Sequence, residues 1–404
     1  MKTEVYRIKD ICSIKSGKRI PLGMDFTTEK TNHPYIRARD IKNGTISTDE
    51  LVYLDENVCR KTKKYIINNG DIAITIVGAS VGDTAYANST VDGYNLTENA
   101  VRLTSFDKKA NSKYVFYQLL QKQYRDYMQT IAGAAAQPKL GIYKVERIRI
   151  ALPDRATQDK IVGIIDAYDN LISENAKRIK VLEQMAENLY KEWFVRFRFP
   201  GHETEEFENG LPKGWEYSTI ESLSNILQRG ITPEYDDEGE LTVISQKCIR
   251  QTIMDIREAR KQTKQYRDEL NLQDGDTVIC STGTGTLGRV GQVYGDYPKT
   301  TFDSHVTLVR AKQDAGKHYL FWTLKNMEAW FMNMGIGSTN QQELYRNTIK
   351  NAKAIKPKKE IVELFERTIE PIHNDIVFLI RSQENLTKQR DLLLPRLMNG
   401  KLEV

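Results

Sequence analysis

The chain has 404 residues, 40% of them hydrophobic, which is enough for two or three domains with substantial cores. No apolar run reaches the ~18 residues that span a bilayer, and the N-terminal "MKTEVYRIKD" lacks the apolar segment of a signal peptide, so we expect a cytoplasmic protein. Residues 1–202 hold 32 Lys and Arg against 24 Asp and Glu, whereas the remainder holds 27 against 30, so the basic half suits an anionic partner such as nucleic acid or reflects an uneven soluble surface.

An internal repeat runs along the chain, at an offset that falls from 208 to 204 residues. "YIRARDI" (35–41) aligns with "VISQKCI" (243–249), and "NGDIAITIVG" aligns with "QDGDTVICST". Further on, "GAAAQPKLGIYKVERIRIALP" (133–153) aligns with "GSTNQQELYRNTIKNAKAIKP" (337–357). A period near 200 residues indicates a duplicated domain rather than a solenoid. We therefore predict mixed α/β domains over 1–152 and 213–356.

Each repeat contains a glycine-rich turn between two predicted strands. In the second repeat, "DTVICSTGTGTLGRVGQVY" (276–294) contains the glycine spacing of dinucleotide-binding enzymes. That fingerprint requires a helix after the glycines, whereas valines and Tyr294 predict a second strand here. Glycine permits a positive φ and close backbone approach, so the turn is either a simple hairpin or a contact for phosphate.

Apolar residues recur at alternating spacings of three and four near the end of each repeat, which is the pattern of a coiled-coil seam. These are Ile165, Tyr168, Ile172, Ile179, Leu182, Leu189 and Trp193 in the first repeat, and Ile369, Ile372, Ile376, Leu379, Leu386, Leu393 and Leu397 in the second. Asn175, Gln383 and Arg390 interrupt the seam, and Pro395 should bend or end the second helix near its last turn.

The predicted fold class is α+β, with two tandem mixed α/β domains, each followed by a long helix. The helices are expected over 153–198 and 357–404, packed as an antiparallel coiled coil with pseudo-twofold symmetry. Residues 199–212 combine Pro, Gly and acidic residues, a composition typical of an exposed linker.

Two common motifs for phosphate binding and for metalloproteases are missing from the sequence. It has no GxxxxGK[ST] or HExxH motif, and its four cysteines and five histidines are dispersed. We therefore expect a binding subunit without metal or catalytic residues.

Three segments resemble the specificity subunits of Type I restriction-modification enzymes: "IRIALPDRATQDKIVGIIDAYDNLI" (148–172), "LPKGWEYSTIESL" (211–223) and "LTKQRDLLLPRLMNGKLEV" (386–404). The resemblance covers essentially the whole chain. It implies two target recognition domains, each reading half of a split site in double-stranded DNA. It also implies that the paired helices act as a spacer and as the docking surface for two methyltransferase subunits.

The same resemblance implies that restriction and translocase subunits join the complex and that the chemistry resides in the partners. S-adenosylmethionine is then expected in the methyltransferases, and ATP and Mg in the motor subunits, with no cofactor in this chain. The runner-up hypotheses are a nuclease or methyltransferase, which the missing motifs disfavour, and a coiled-coil DNA-binding or interaction protein that is not tied to restriction.

Candidate DNA-binding residues lie in the predicted loops. For phosphates we favour basic side chains, and the alternative for each of them is a solvated surface charge: Lys15, Lys18, Arg19, Arg37, Arg39, Lys139, Lys247 and Arg289. Gln137, Gln341 and Asn340 are candidates for contact with an adenine edge, and Gln137 and Gln341 are also candidate helix caps. The full set of polar and glycine candidates is Gly78, Ser80, Gln137, Ser245, Gln246, Thr284, Thr286, Asn340 and Gln341.

Overall fold

The structure is a computed structural model that describes residues 2–134, 137–250, 252–283, 285–337, 342–402 and 404. The chain divides into two compact units. The first contains Met1–Ile172 together with Asn385–Val404, and the second contains Ser173–Glu384. Each unit therefore holds one sequence repeat and part of each long helix.

Short strands and helices make up the repeat in the first unit. Its strands are β1 (Glu4–Arg7), β2 (Ser13–Ser16), β3 (Pro34–Ile36), β4 (Ile41–Lys42), β5 (Thr45–Ile46), β6 (Val52–Tyr53), β7 (Ile72–Thr75), β8 (Thr84–Tyr86), β9 (Asn95–Leu96), β10 (Ala100–Thr104) and β11 (Arg149–Leu152). Its helices are α1 (Glu56–Thr62), α2 (Ser112–Leu120), α3 (Lys122–Ala132) and α4 (Ile142–Glu146).

The central sheet of the first unit is antiparallel, with strand order β2-β10-β7-β8. A second sheet has the order β6-β3-β9, in which β3 and β9 are parallel. β4 pairs with β5. The first and last strands, β1 and β11, pair with each other and so bring the two ends of the repeat together.

The second unit continues from the long helix α5 (Arg155–Tyr190), and its elements follow in chain order. They are β12 (Phe207–Glu208), β13 (Leu211–Pro212), β14 (Glu216–Thr219), α6 (Ile220–Leu223), β15 (Ser224–Arg229), β16 (Leu241–Ile244), β17 (Arg260–Gln262), β18 (Thr277–Cys280), β19 (Val290–Gln292), β20 (Thr300–Phe302), β21 (Val306–Ala311), α7 (Lys317–Asn326), α8 (Glu328–Asn333), α9 (Arg346–Lys350), β22 (Lys353–Lys356) and α10 (Lys359–Met398).

The sheet topology of the second unit repeats that of the first. Its central sheet has the order β15-β21-β18-β19, its mixed sheet has the order β17-β16-β20, and β14 pairs with β22. The parallel pair β16–β20 corresponds to β3–β9. The predicted duplication is therefore confirmed at the level of strand order and direction.

Alternation along the central strands explains why they form the middle of each unit. In β7, Ile72 and Ile74 enter one apolar core, whereas Ala73 enters another on the opposite face. In β18, Ile279 likewise packs on one side and Val278 on the other. Successive side chains of a strand point to opposite faces, so these strands are buried on both sides.

A buried ion pair recurs in the two central sheets. Arg102 of β10 lies 2.7 Å from Asp71, which precedes β7. Arg310 of β21 lies 2.7 Å from Asp276, which precedes β18. The glycine before each aspartate, Gly70 or Gly275, has a positive φ. The aligned Gly-Asp pairs thus share a backbone conformation and an arginine partner.

The long helices α5 and α10 have 36 and 40 residues, and a π-helical turn over Lys191–Val195 follows α5. Pro395 lies in the last turn of α10. The sequence predicts that the helix bends or ends near this residue, because proline has no amide proton to donate. α10 also continues through Pro371, although a proline removes one backbone hydrogen bond from a helix interior.

In the first unit, α5 and α10 contribute to one apolar core. Ile161 and Ile165 of α5 belong to the same cluster as Leu394 and Leu397 of α10. A polar contact accompanies them, because Arg390 Nη1 donates to Asp169 Oδ1 at 2.8 Å. Arg390, predicted as an interruption of the seam, is therefore paired across it.

In the second unit, later residues of α5 meet earlier residues of α10. Asn175 Nδ2 donates to Ser382 Oγ at 3.2 Å, Ile179 shares a cluster with Ile376, and the rings of Trp193 and Phe365 lie 5.6 Å apart. The contacting segments are therefore antiparallel. All fourteen predicted seam residues, in both units, are buried or half-buried.

The predicted linker is partly packed. Phe199 and Leu211 are 2% and 3% exposed, and Phe199 stacks on Trp215 with the ring centroids 5.3 Å apart. The prediction that residues 199–212 are exposed is therefore wrong at these positions. Composition missed this because the apolar residue near each end of the segment, Phe199 and Leu211, packs into a core of the second unit.

Candidate nucleic-acid interface

In the first unit, several loops meet at the turn 97–99, which connects β9 to β10. The amide of Thr97 donates to the carbonyl of Ile36 at the end of β3 (3.0 Å), and the amide of Ile76, just after β7, donates to the carbonyl of Asn99 (2.8 Å). The loops that meet here, residues 17–26, 37–40, 76–83, 97–99 and 137–140, are called the first loop cluster.

Gly17 allows the chain after β2 to lie directly against this turn. A Cβ atom at Gly17 would lie 1.9 Å from the carbonyl oxygen of Thr97. The next amide, that of Lys18, donates to the Leu96 carbonyl at 2.8 Å. A side chain at position 17 would therefore separate the two loops.

The second unit builds the same arrangement around the turn 303–305, between β20 and β21. The amide of Asp303 donates to the carbonyl of Ile244 at the end of β16 (2.9 Å), and the amide of Ser281, after β18, donates to the carbonyl of His305 (2.8 Å). Gly230, after β15, would place a Cβ 2.0 Å from the Phe302 carbonyl oxygen. Residues 230–235, 245–247, 281–283, 285–289, 303–305 and 342–344 form the second loop cluster.

The predicted basic residues of the first repeat differ in their surroundings. Lys18, Arg19 and Arg39 are exposed within the first loop cluster, and Arg19 Nε lies 2.7 Å from Glu98. Arg37 is instead held by Asp40, to which its Nε and Nη2 each donate at 3.0 Å. Arg37 therefore organises its own loop and is a weaker candidate for phosphate contact than its neighbours.

Lys15 lies outside the cluster. Its side chain is exposed, but it stands within β2, paired in register with Arg102 of β10. A lysine within an edge strand also discourages unwanted strand pairing.

The glycine turn after β7 contacts the loop that precedes α4. The amide of Gly78 donates to the Pro138 carbonyl at 3.0 Å, and Val77 forms a bridge with Lys139. Gln137 and Lys139 are exposed, whereas Ser80 is half-buried. β8 follows this turn, as β19 follows its counterpart, so the predicted strand, turn and return strand are confirmed in both repeats.

The polar candidates of the second repeat lie around its glycine turn. Gln246 Oε1 accepts from Thr286 Oγ1 at 3.5 Å, and Ser245 caps the short turn that carries the exposed Lys247. Arg289 is half-buried and precedes β19. Three other candidates, Thr284, Asn340 and Gln341, lie outside the described residues.

Two residues at the centres of the clusters were missed by the sequence analysis. Asn99 is half-buried and His305 is exposed, and each is the last residue of its turn. His305 Nδ1 lies 2.6 Å from Thr282 Oγ1. The alignment of the two repeats does not reveal that Asn99 and His305 are equivalent, because one side chain is an amide and the other an imidazole.

Carboxylates accompany the basic residues. Burial acts to raise the pKa of Glu98, but Arg19 and the hydroxyl of Thr97 lower it, so this pKa is below its usual range. Burial raises the pKa of Asp303, against the effect of its hydrogen bond from the His305 amide. Each turn therefore carries an acidic group that also shapes what the cluster can bind.

The described part of the chain offers no group of three or more His, Cys, Asp or Glu side chains that could hold a metal ion. Within the same ranges, no helix is both long enough and apolar enough to cross a bilayer.

A duplicated mixed α/β domain with a polar loop cluster in each copy defines the class as a two-domain recognition protein. Residues 2–184 and 212–377 both match the family model for the type I restriction modification DNA specificity domain. The chain belongs to this family, that of the specificity subunits of type I restriction-modification systems.

Known members resemble the chain over nearly its whole length. The type I restriction enzyme MjaIX specificity subunit of Methanocaldococcus jannaschii is 24% identical, over 99% of this chain and 94% of the relative. The HindI specificity subunit of Haemophilus influenzae is 22% identical, over 84% and 88% respectively. The crystal structure of the S subunit from M. genitalium has a TM-score of 0.57 at 14% identity, covering 98% of this chain and 96% of that one, which shows a shared fold.

Proposed function

We propose that this chain is the sequence-specific DNA-binding subunit of a type I restriction-modification system and that each loop cluster reads one half of a bipartite target. The observation that carries the proposal is the construction of the same loop cluster twice, around the turns 97–99 and 303–305. Each cluster presents cationic and polar side chains from several loops, as contact with phosphates and base edges requires.

Within each cluster, the two kinds of contact are assigned to different residues. Lys18, Arg39 and Lys139 are the proposed phosphate contacts of the first cluster, and Lys247 is that of the second, because all four are exposed. Asn99 and His305 are the proposed base-reading residues, because they stand where the loops meet.

A DNA-binding measurement tests this assignment. Methylation sequencing of a host that expresses the chain with its methyltransferase identifies the target sequence. The affinity of the chain for a DNA duplex carrying that sequence should fall steeply as the salt concentration rises. Lys18→Ala should weaken binding and reduce the salt slope by about one. Lys108→Ala is the matched control, because Lys108 is exposed beyond the opposite end of β10. Equal losses from both variants, or binding that ignores salt, would contradict the assignment.

Base reading has a different signature. His305→Ala should relax sequence preference at one position of one half-site, by roughly 1–3 kcal/mol of discrimination, while the other half-site is unaffected. An unchanged methylation pattern in the host would remove His305 from the reading surface.

We also propose that α5 and α10 form an antiparallel coiled coil with pseudo-twofold symmetry that spaces the two domains. The support is that antiparallel contacts occur in the second unit and that Asp169–Arg390 and Asn175–Ser382 are polar pairs along the seam. Polar residues at seam positions commonly fix register at a cost in stability.

The same helices are the proposed docking surface for two methyltransferase subunits, to which restriction and translocase subunits would be added. Large apolar side chains are exposed on both helices: Leu171, Val181 and Met185 on α5, and Phe378 and Leu392 on α10, with exposures between 51% and 70%. Large apolar side chains exposed on both helices suit contact with a protein partner.

In this proposal the chain is not itself an enzyme, and S-adenosylmethionine, ATP and Mg act in the partner subunits. Incubation of the purified chain with S-adenosylmethionine and DNA should transfer no methyl groups, whereas the chain with its methyltransferase should. The alternative is a coiled-coil DNA-binding or interaction protein outside restriction. It would be favoured if methyltransferase failed to bind the chain and host DNA remained unmethylated.

A further inference from the structure

A thiol, an imidazole and a carboxylate are aligned beside α1 in the first unit. Cys59 Sγ lies 3.2 Å from His33 Nδ1, and His33 Nε2 lies 2.9 Å from Glu56 Oε2. Glu56 and Cys59 are three residues apart on α1, so they lie on one face of the helix. With the Nε2 proton donated to Glu56, Nδ1 is left as an acceptor for the thiol proton.

His33 is fixed by its backbone as well as by its ring. Its amide donates to Thr31 Oγ1 (3.2 Å), and its carbonyl accepts from the amide of Leu54 (2.9 Å). Thr31 Oγ1 in turn donates to the Leu54 carbonyl at 2.8 Å. The His33 main chain is therefore anchored beside α1, where its ring contacts both Glu56 and Cys59.

The other three cysteines provide a contrast within the same chain. Cys12, Cys248 and Cys280 are buried, whereas Cys59 is partly accessible. Burial raises the pKa of Cys12 and Cys280 to about 12 and that of Cys248 to about 11. These three thiols are neither accessible nor readily ionised in the folded chain.

The alignment of side chains is not required by the duplicated fold. At the offset of 208 that aligns residues 35–41 with 243–249, Leu241 takes the place of His33 in the second repeat. The second repeat builds the same sheets without a histidine at this position. The sheets can therefore be built without the Cys59–His33–Glu56 group, which favours a chemical role for these side chains over a purely structural one.

We propose that Cys59 is a modification site that exchanges with small-molecule disulfides such as oxidised glutathione, with His33 as the base. The cysteine sulfur attacks one sulfur of the disulfide while its proton passes to His33 Nδ1. The disulfide bond breaks as a mixed disulfide forms at Cys59, and the other half leaves as a thiolate that takes up a proton. Cys59 is oxidised, and the departing thiol is the reduced product.

The resting state of the pair agrees with this order of events. Burial and the charge of Glu56 raise the pKa of the Cys59 thiol, against the opposing effect of Lys63. The sulfur therefore keeps its proton until an electrophile arrives, and attack requires a base within hydrogen-bond reach. Glu56 is a positioning residue, because it acts through the His33 ring.

Intact mass and peptide mapping of the full chain, incubated with oxidised glutathione, test the proposal. Adduct should form at Cys59 before it forms at the three buried cysteines, and His33→Gln should slow the Cys59 rate by about tenfold or more. Glu56→Gln should slow it less, because an amide still accepts from Nε2–H. His202→Gln, at a histidine remote in sequence, should leave the rate unchanged. Equal Cys59 rates in the wild type and in His33→Gln would overturn the proposal.

The pH profile of the wild-type rate provides a second measurement that needs no variant. Attack assisted by an imidazole should reach a plateau before the thiol itself ionises. Attack by a pre-ionised thiolate should instead keep rising about tenfold per pH unit until the thiol is ionised. The second profile would overturn the role of His33 even if adduct forms.

Discussion

Asp276 is a buried carboxylate whose desolvation costs free energy and which depends on an ion pair with Arg310. It is 2% exposed, and Arg310 donates to both of its oxygens at 2.7 Å. Burial raises the pKa of Asp276 in spite of Arg310 and of the hydrogen bond from the Gln273 amide. The ion pair therefore offsets the cost of desolvating the carboxylate without exceeding it.

We predict that Arg310→Met lowers the free energy of unfolding by about 3–5 kcal/mol, because it leaves Asp276 buried without its cation. The double variant Asp276→Leu, Arg310→Met should cost much less than Arg310→Met alone. Urea denaturation measures both. Arg257→Met is the control, because Arg257 pairs with Asp255 at the surface with 73% of its own side chain exposed, and it should cost at most about 1 kcal/mol. Additive losses in the double variant would contradict this account.

His373 is a buried histidine whose protonation affects the stability of the second unit. His373 of α10 is 2% exposed, stacks on Tyr294 with the ring centroids 4.7 Å apart, and lies 2.7 Å from Asp274. His318 and Lys317 lie in the same network, and a hydrogen bond from His318 is the main cause that lowers the pKa of Glu370 to about 2. Burial lowers the pKa of His373, and the nearby His318 acts in the same direction against Asp274.

Because the pKa of His373 is lower in the folded chain than in the unfolded chain, unfolding takes up protons. The stability that depends on its neutral form is present above about pH 6.5 and is lost as pH falls through that value. We predict that the free energy of unfolding declines between pH 7.5 and pH 5.5 and that His373→Gln reduces the decline. Denaturant titrations at both pH values measure it. An identical decline in wild type and variant would place the effect elsewhere.

At the scale of elements, the two faces of α10 can be separated by substitutions two residues apart. Ile376 is 1% exposed and packs with Ile179, whereas Phe378 is 70% exposed. We predict that Ile376→Asp destabilises the second unit by more than about 3 kcal/mol, since it buries a charge without a partner. Phe378→Asp should leave stability within about 0.5 kcal/mol and weaken binding of the methyltransferase.

Thermal unfolding and pull-down of the methyltransferase distinguish these outcomes. If Phe378→Asp bound the methyltransferase as tightly as the wild type, the exposed apolar residues would not be its docking surface. If Ile376→Asp were as stable as Phe378→Asp, the predicted seam would not be a packed interface. Ile172→Asp combined with Ile376→Asp extends the test to the first unit.

Periodic features could be predicted from the sequence, whereas features built by distant backbone contacts could not. The seam from Ile165 to Leu397 and the hairpin after Ile72 have regular spacings that follow from helix and strand geometry. The turns at Asn99 and His305 have no such signal, because main-chain bonds to remote segments create them. Gly17 and Gly230 could have been singled out from the sequence, because each is a glycine that follows a predicted strand in its repeat. In the structure, each glycine is required because the backbone there lies close to a carbonyl oxygen.

For the whole molecule, the division into units differs from the division into repeats. Asn385–Val404 belong to the unit of the first repeat although they close the second. The sequence predicted that each long helix follows its own domain along the chain, but each helix contributes to the cores of both units. A substitution in either helix should therefore affect the packing of both units. Helix length is the variable to change in a test of spacing.

If the helix pair sets the gap between half-sites, as proposed, matched insertions in α5 and α10 should change that gap in steps set by DNA geometry. Three heptads in each helix add roughly 31 Å, close to the ~34 Å of one DNA turn, so both domains should still face the same side of the duplex. One heptad adds roughly 10 Å and changes the phase by about a third of a turn.

We therefore predict that the three-heptad variant, expressed with its methyltransferase, methylates the same two half-sites with a gap longer by about nine base pairs. The one-heptad variant should methylate poorly at any gap, because its domains meet different faces of the DNA. Methylation sequencing of the host genome reads both outcomes. A wild-type gap in the three-heptad variant would show that the helices do not act as the spacer, even though both half-sites are still read.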